Sequence, residues 1–286
     1  MSQENNLLIG VVIPTHKRAV ILAKVLAALA RQDFPANQFE VITVLDGPDE
    51  PTEVMLKKSS FPYRFRWFIQ PHQGAPAARN LGVKSSDAEV LIFIDDDIVA
   101  TPEFVRSHYE AHQREPHSVV LGGLKPAPDS PGGFVDAAVD WTQGYFDRCS
   151  DPSYKVGGKD MVNPNFSAEK SDILKAGGWD ETFEGYGGPD DRDLGLRFER
   201  RGLPLRFCAQ ALGYHNQTKG WADVLRDVRQ NGRTLPHYVE KHPEGLNLVS
   251  WAASTPKRRL LFRAIRVCPE FAFTLLTAWA RLSDKL

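Results

Sequence analysis

The sequence predicts an α/β fold: a mostly parallel central sheet with helices on both faces. Two observations predict it. Runs such as "LLIGVVIP", "FEVITVLDG" and "EVLIFID" are apolar throughout and rich in β-branched residues, as strands buried on both sides are. Between them lie stretches whose apolar residues recur every three to four positions, the period of a helix, so the first hundred residues alternate strand and helix.

Each element follows in order. "LLIGVVIP" is the first strand, ended by Pro14, and "RAVILAKVLAALARQ" is the helix after it. "FEVITVLDG" is the second strand, closed by Asp46 and Gly47; "EPTEVMLKKSS" is a short helix and "YRFRWFIQ" the third strand. "APAARNLGVKSS" reads as a helix with Pro76 in its first turn, where proline is tolerated. "EVLIFID" is the fourth strand, "TPEFVRSHYEAHQRE" a helix with Thr101 as N-cap and Pro102 at its first position, and "HSVVLGG" the fifth strand. Regularity fails between about Lys125 and Asp160, where proline and glycine flank "FVDAAVDWTQGYFDR"; this reads as an insertion or mobile lid outside the core. "SAEKSDILKAGGWDE" resumes as a helix stopping at Gly177 and Gly178, and "PDDRDLGLRFERRG" is another, closed by Gly202. From about Gly220 the chain is helical and basic, which divides it into a main domain over 1–219 and a helical extension over 220–286.

Composition narrows the function classes. The 286 residues include 42% hydrophobic and 25% charged side chains, enough for a full core. With 35 basic residues against 36 acidic, no nucleic-acid partner is expected, and any anionic ligand must be held locally. Cys149, Cys208 and Cys268 are far apart and form no CxxC pair, which fits a reducing, cytoplasmic setting. The N-terminus lacks the pattern of a secretory signal, and no uncharged apolar run reaches the roughly 18 residues of a spanning helix.

The sharpest feature is "LIFIDDDIV", where an apolar strand runs into Asp95, Asp96 and Asp97. In an open parallel sheet, ligands bind beyond the carboxyl ends of the strands. On an extended backbone Asp95 and Asp97 would share a face, with Asp96 pointing elsewhere. Adjacent carboxylates make sense around a hard divalent cation such as Mg2+ or Mn2+; the alternative is an acidic turn in which Asp97 caps the loop. Thr15, His16 and Arg18 after the first strand and Asp46 after the second reach the same sheet edge, where they could place a nucleotide.

"VVIPTHKR", "QDFPANQFEVITVLDG", "QGAPAARNLG", "LIFIDDDI" and "GGWDETFEGYGGPDDRDLGLRFERRG", in this order over residues 8 to 215, resemble family 2 glycosyltransferases of the GT-A fold. The resemblance implies a Rossmann-like sheet binding a nucleotide-diphosphate sugar, most often a UDP-sugar, with Mn2+ or Mg2+ at the aspartate motif. It puts Pro14, Thr15 and Arg18 beside the nucleotide and Asp46 near the base. His16 stands where tyrosine, phenylalanine or asparagine is more usual. Arg79 falls in a donor-holding motif, Asp95 or Asp96 faces the ribose, and Asp97 the metal, with His215 of "GYHNQT" where a histidine often meets metal or leaving phosphates. Trp179, Asp180 and Phe183 would line the acceptor side, although the tryptophan reads equally well as core.

Breaking the sugar–phosphate bond releases a nucleoside diphosphate, and an inverting transfer needs a base for the acceptor hydroxyl. "GPDDRDL" starts a helix near Asp190 or Asp191, where the dipole favours an ionised carboxylate. The family usually reads Glu-Asp here with the second acid as base, which points to Asp191 and leaves Asp190 to bind acceptor. Without the resemblance either acid is equally an N-cap. Asp193 and Arg197 read as a surface pair. His108 and His112 share a helix face with zinc-like spacing, but read as solvated. The C-terminal "PKRRLLFRAIRVCPEFAFTLLTAWARL" has the form of a basic amphipathic helix that could lie on the cytoplasmic face of a membrane, or pack on its own domain or on a second copy of the chain.

The expected partners are a nucleotide-sugar donor and a glycan, glycolipid or small-molecule acceptor. The alternatives are a sugar nucleotidyltransferase, whose glycine-rich loop "IPTHKR" lacks, and a non-catalytic nucleotide- or carbohydrate-binding protein.

Overall fold

A computed structural model describes residues 7–128, 141–183, 189–216 and 221–243. The chain divides into two compact units, one of 1–129 with 141–218 and the other of 130–140 with 219–286.

The first unit begins with β1 (Ile9–Thr15), α1 (Ala19–Leu29), β2 (Phe39–Asp46), α2 (Glu50–Lys58), β3 (Arg64–Gln70), α3 (Ala75–Ser85) and β4 (Val90–Ile94). These four strands pair in parallel in the order β3-β2-β1-β4. Period-two alternation divides β1 between two cores. Ile9, Val11 and Ile13 pack with Leu22, Leu26 and Leu29 of α1, while Val12 packs with Leu91, Phe93 and Phe166 on the opposite face. Burial on both faces is why β1 and β4 read as apolar runs, whereas β3, at the sheet edge, is only partly buried and carries Arg64 and Arg66.

Next come β5 (Ile98–Ala100), α4 (Phe104–Arg114), β6 (Val119–Pro126), α5 (Thr142–Ser150), β7 (Asn165–Glu169), α6 (Lys170–Lys175), α7 (Asp190–Arg200) and β8 (Leu205–His215). They complete an eight-stranded sheet ordered β3-β2-β1-β4-β7-β6-β8-β5. β7 runs antiparallel to β4 and β6, and β5 antiparallel to β8, so the second half of the sheet is mixed.

Several expectations need correction here. "SAE" is the end of β7, not a helix start, because pairing with β4 claims Ser167, Ala168 and Glu169. Helix α4 starts at Phe104: Gln32, in the loop three residues beyond α1, accepts the Val105 N–H at 2.9 Å, so a side chain from another segment does the capping expected of Thr101. The stretch over 125–160 is not all insertion. β6 runs to Pro126, and Tyr145, Cys149 and Asp160 are buried, whereas "FVDAAVD" lies outside the described residues. Asp193 is buried, and Arg197 grips it at 2.6 and 2.9 Å, which replaces the expected surface pair. His108 and His112 are buried, not solvated, because Ser167 and Asn165 on β7 offer them polar partners.

In the second unit, the described residues include α8 (Trp221–Lys241), with Pro236 inside it. No described helix is long and apolar enough to cross a membrane. The proposed basic amphipathic segment beyond Lys257 lies outside the described residues.

Candidate active site

The parallel strands deliver their carboxyl ends to one edge, and the candidate residues assemble there. Pro14 and Thr15 close β1, with Thr15 in register with Leu45, and Asp46 closes β2 opposite Gln70. Asp46 is fully buried. Its carboxylate accepts from Gln70 Nε2 at 2.9 Å and from the main-chain N–H groups of Gln73 at 2.8 Å and Gly74 at 2.9 Å, fixing the loop before α3. The Asp46 carbonyl accepts from Nδ1 of His16 at 2.6 Å and of His72 at 3.1 Å, and the two imidazoles stack with centroids 4.5 Å apart. His72 is absent from the sequence-based set. An isolated histidine in "IQPHQG" carries no signal until the fold sets it beside His16.

The three aspartates occupy a turn between β4 and β5, not an extended strand, with Ile98 N–H bonding the Asp95 carbonyl at 3.2 Å. The expected alternation is therefore broken. Arg18 holds Asp96 at 2.7 Å and Asp97 at 3.0 Å, while Asp95 takes Arg79 at 2.7 Å. Thr15 donates to Asp96 at 2.6 Å. Burial pushes the Asp96 carboxyl up to about 7, against the pull of Arg18. Burial also acts on Asp97, but His215 and Arg18 outweigh it and hold that carboxyl at about 2. His215 Nε2 lies 3.6 Å from Asp97 Oδ2, which joins the last residue of β8 to the aspartate turn. Two ligands about 2.0 to 2.2 Å from one cation stand roughly 2.8 to 3.6 Å apart. A buried carboxylate and an imidazole at this spacing therefore fit a shared divalent ion.

The opposite wall is the start of α7. Its backbone lies so close to the short 3₁₀ turn Gly158–Asp160 that a Cβ on Gly195 would overlap the Gly158 carbonyl, so only glycine lets the helix dock there. Asp190 is buried and Asp191 half-buried. Burial pushes the Asp190 carboxyl up to about 7, with Arg79 opposing, and raises Asp191 as well. The helix start does not hold these acids low, because the cost of desolvation exceeds the dipole's contribution. Arg79, itself buried, spans both walls, with its second guanidinium nitrogen 3.5 Å from Asp190.

Asn163 is the second residue missing from the sequence-based set. Its Nδ2 donates to Asp190 at 2.7 Å, its main-chain N–H to Asp191 at 3.4 Å, and its Oδ1 accepts from Trp179 Nε1 at 2.9 Å. Trp179 is 2% exposed and Phe183 1%, and Trp179 packs against Phe93 and Phe166. Trp179 thus stands behind the acids. Asp180 accepts from the N–H and hydroxyl of Thr182 at 2.9 and 2.6 Å, within its own turn.

Comparison with known proteins accords with this geometry. The sequence model described as glycosyl transferase family 2 matches residues 10–151. Validoxylamine A glucosyltransferase of Streptomyces hygroscopicus subsp. jinggangensis is 28% identical over 274 residues, an alignment covering 86% of this chain and 64% of the relative. Chondroitin synthase of Escherichia coli is 26% identical over 247 residues, covering 74% of this chain and 35% of that protein. The chain thus spans less than two thirds of the length of these relatives. Among solved structures, S. aureus TarS 1–349 in complex with UDP-GlcNAc superposes with a TM-score of 0.59 at 18% identity, over 74% of this chain and 59% of that one. The mannosyltransferase PcManGT from Pyrobaculum calidifontis, in complex with GDP-Man and Mn2+, superposes with a TM-score of 0.65 at 15% identity, over 96% of this chain and 79% of that one. The fold is the GT-A fold that the motifs implied.

Proposed function

We propose, on the premise of the match of residues 10–151 to the glycosyl transferase family 2 model, that the chain is an inverting, metal-dependent transferase of that family, moving a sugar from a nucleotide-diphosphate donor to an acceptor hydroxyl. The observation that carries the proposal is Arg79. It contacts Asp95 of the aspartate turn and Asp190 at the start of α7, so the donor acids and the base acids form one site.

The stacked His16 and His72 over Asp46 suit the flat face of a base, and a UDP-sugar is the preferred donor. Arg18, poised on Asp96 and Asp97, can turn its guanidinium to the diphosphate oxygens, which it matches bidentately. Asp97 and His215 would hold the cation. An imidazole in the donor pair suits Mn2+ better than Mg2+, which prefers oxygen ligands. Bound there, the cation supplies Lewis-acid stabilisation of the departing diphosphate. Asp191 takes the proton of the acceptor hydroxyl as its oxygen attacks the sugar's anomeric carbon and the bond to phosphate breaks. A carboxyl raised by burial is a stronger base than an exposed one, and suits this task near neutral pH. Asp190, held by Asn163 and Arg79, orients the acceptor. We assign the reaction to the cytoplasm, and contacts with a glycan or glycolipid acceptor, a membrane surface or a second copy to residues 220–286.

The test is nucleoside diphosphate release from UDP-, GDP-, dTDP- and CDP-sugars with Mn2+, in wild type and Asp191→Asn. Slow release from one donor, depressed at least about a hundredfold in the variant, supports the reading. Release unchanged by Asp191→Asn rejects Asp191 as base. Release from none of the donors, at enzyme concentrations where single turnovers are visible, rejects the transferase.

A further inference from the structure

The buried pair His108 and His112 on α4 has no part in the chemistry above, yet the network it anchors ends on β8 at the Ala211 carbonyl, four residues before His215. β6 and β8 run in parallel register up to Gly122 opposite Cys208, but the next pair is Gly123 opposite Leu212. Ala209, Gln210 and Ala211 are inserted into β8 at this point. Downstream of the insertion, Gly213, Tyr214 and His215 pair with Ala100, Val99 and Ile98 of β5, which follows directly on the aspartate turn. The length of the bulge therefore decides which β8 residue meets Asp97.

One side chain closes that bulge. Asn165, fully buried at the start of β7, donates through Nδ2 to the Gly123 carbonyl at 2.9 Å and the Ala211 carbonyl at 2.8 Å. One carbonyl belongs to each strand where pairing resumes: Gly123 is the first β6 residue past the shift and Ala211 the last inserted residue of β8. Gly122 makes room for the clamp, since a Cβ there would overlap the Asn165 amide.

The network also fixes which way the amide points. With Nδ2 committed to two carbonyls, Oδ1 must accept, so the proton of His108 lies on Nε2, 2.9 Å away. His108 Nδ1 is then an acceptor and takes the Ser167 hydroxyl proton at 2.8 Å; Ser167 Oγ in turn accepts from His112 Nε2 at 2.8 Å. The directions of donation run without conflict from α4 through β7 to the bulge, with both imidazoles neutral.

We propose that Asn165, oriented by the His108–Ser167–His112 relay, is a positioning residue for the metal site: it clamps the β8 bulge and so brings His215 to Asp97. The proposal rests on the reading that Asp97 and His215 hold the divalent cation.

The test reads Mn2+ affinity from the EPR signal of free Mn2+ in the presence of nucleoside diphosphate, for Asn165→Ala and Ser167→Ala, each alone and combined with His215→Ala. Loss of a group that supports a metal ligand weakens binding about tenfold or more. Asn165→Ala is expected to weaken Mn2+ about tenfold and Ser167→Ala about threefold, and neither is expected to weaken it further once His215 is alanine, because both act through His215. If Asn165→Ala does not fold, Ser167→Ala decides alone. Unchanged affinity in the variants that fold, or an equal loss with and without His215, overturns the proposal. The underlying reading fails separately: Mn2+ binding that survives both Asp97→Ala and His215→Ala means that the cation is held elsewhere.

Discussion

Replacing Asn163 with alanine should uncouple the base acids from the core behind them. The substitution removes the 2.7 Å bond to Asp190 and leaves the Trp179 indole N–H, formerly 2.9 Å from Asn163 Oδ1, buried without an acceptor. A hydrogen bond to a charged group contributes about 1.5 to 3 kcal/mol, and an orphaned buried donor costs about 1 to 3 kcal/mol. Part of this is recovered if Asp190 protonates, so a loss of about 3 kcal/mol is expected. For a domain of this size that lowers the melting temperature by roughly 10 °C. The direction of the pH effect follows from the same bond. Asn163 pulls the Asp190 carboxyl down against its burial, so its removal raises the carboxyl further. Asp190 must be ionised to hold the acceptor hydroxyl for Asp191, so at about 1.4 kcal/mol per pH unit the acid limb of kcat/KM should move up by about one unit. Activity would then fall about tenfold below the limb and recover to within about twofold above it. The assay is the pH profile of nucleoside diphosphate release for wild type and Asn163→Ala, measured at a temperature where both are folded. A uniform loss of activity at every pH, with the acid limb unmoved, would refute the argument and leave Asn163 a packing residue.

Three further outcomes follow from the geometry. Burial holds His108 at about 3 and His112 at about 4, so the unfolded chain takes up their protons first as pH falls below about 6.5. Stability is then lost by about 1.4 kcal/mol per histidine per pH unit between roughly pH 6 and pH 4; urea midpoints at pH 7, 6 and 5 should show it, with a shallower slope for His112→Gln. Gly122→Ala drives a methyl into the Asn165 amide, and should cost about 2 kcal/mol or more in a denaturant titration; a shift under about 0.5 kcal/mol would show that the clamp yields easily. Arg79→Lys keeps the charge but cannot reach both Asp95 and Asp190 from one ammonium, so kcat should fall about a hundredfold with Tm changed by only a few degrees.

The sequence made some of this legible and hid the rest for identifiable reasons. The centre of the parallel half was readable because burial on both faces writes apolar runs at β1 and β4, and the aspartates at the end of β4 stand out against them. β7 was not readable: "NFSAE" carries polar Asn165 and Ser167 where a buried strand should be apolar, and they are polar because α4 brings two histidines down on them. The same long-range contact turned a helix face that looked solvated into core. Asn163 and His72 were invisible because their partners are 16 or more residues away in the chain. The solvated reading of Asp193 and Arg197 failed because local spacing says which residues meet, not whether water reaches them.

The central claim is that the aspartate turn binds a nucleoside diphosphate together with a cation. It is tested most directly by thermal shift with UDP-, GDP-, dTDP- and CDP-sugars, with and without Mn2+, on wild type and Asp97→Ala. A ligand present at a hundred times its Kd stabilises the native state by about 2.7 kcal/mol, a shift of roughly 5 to 10 °C for a domain of this size. The account predicts such a shift for one nucleotide, dependent on Mn2+ and abolished by Asp97→Ala. No shift with any of the nucleotides, or one that persists undiminished in Asp97→Ala, would contradict it.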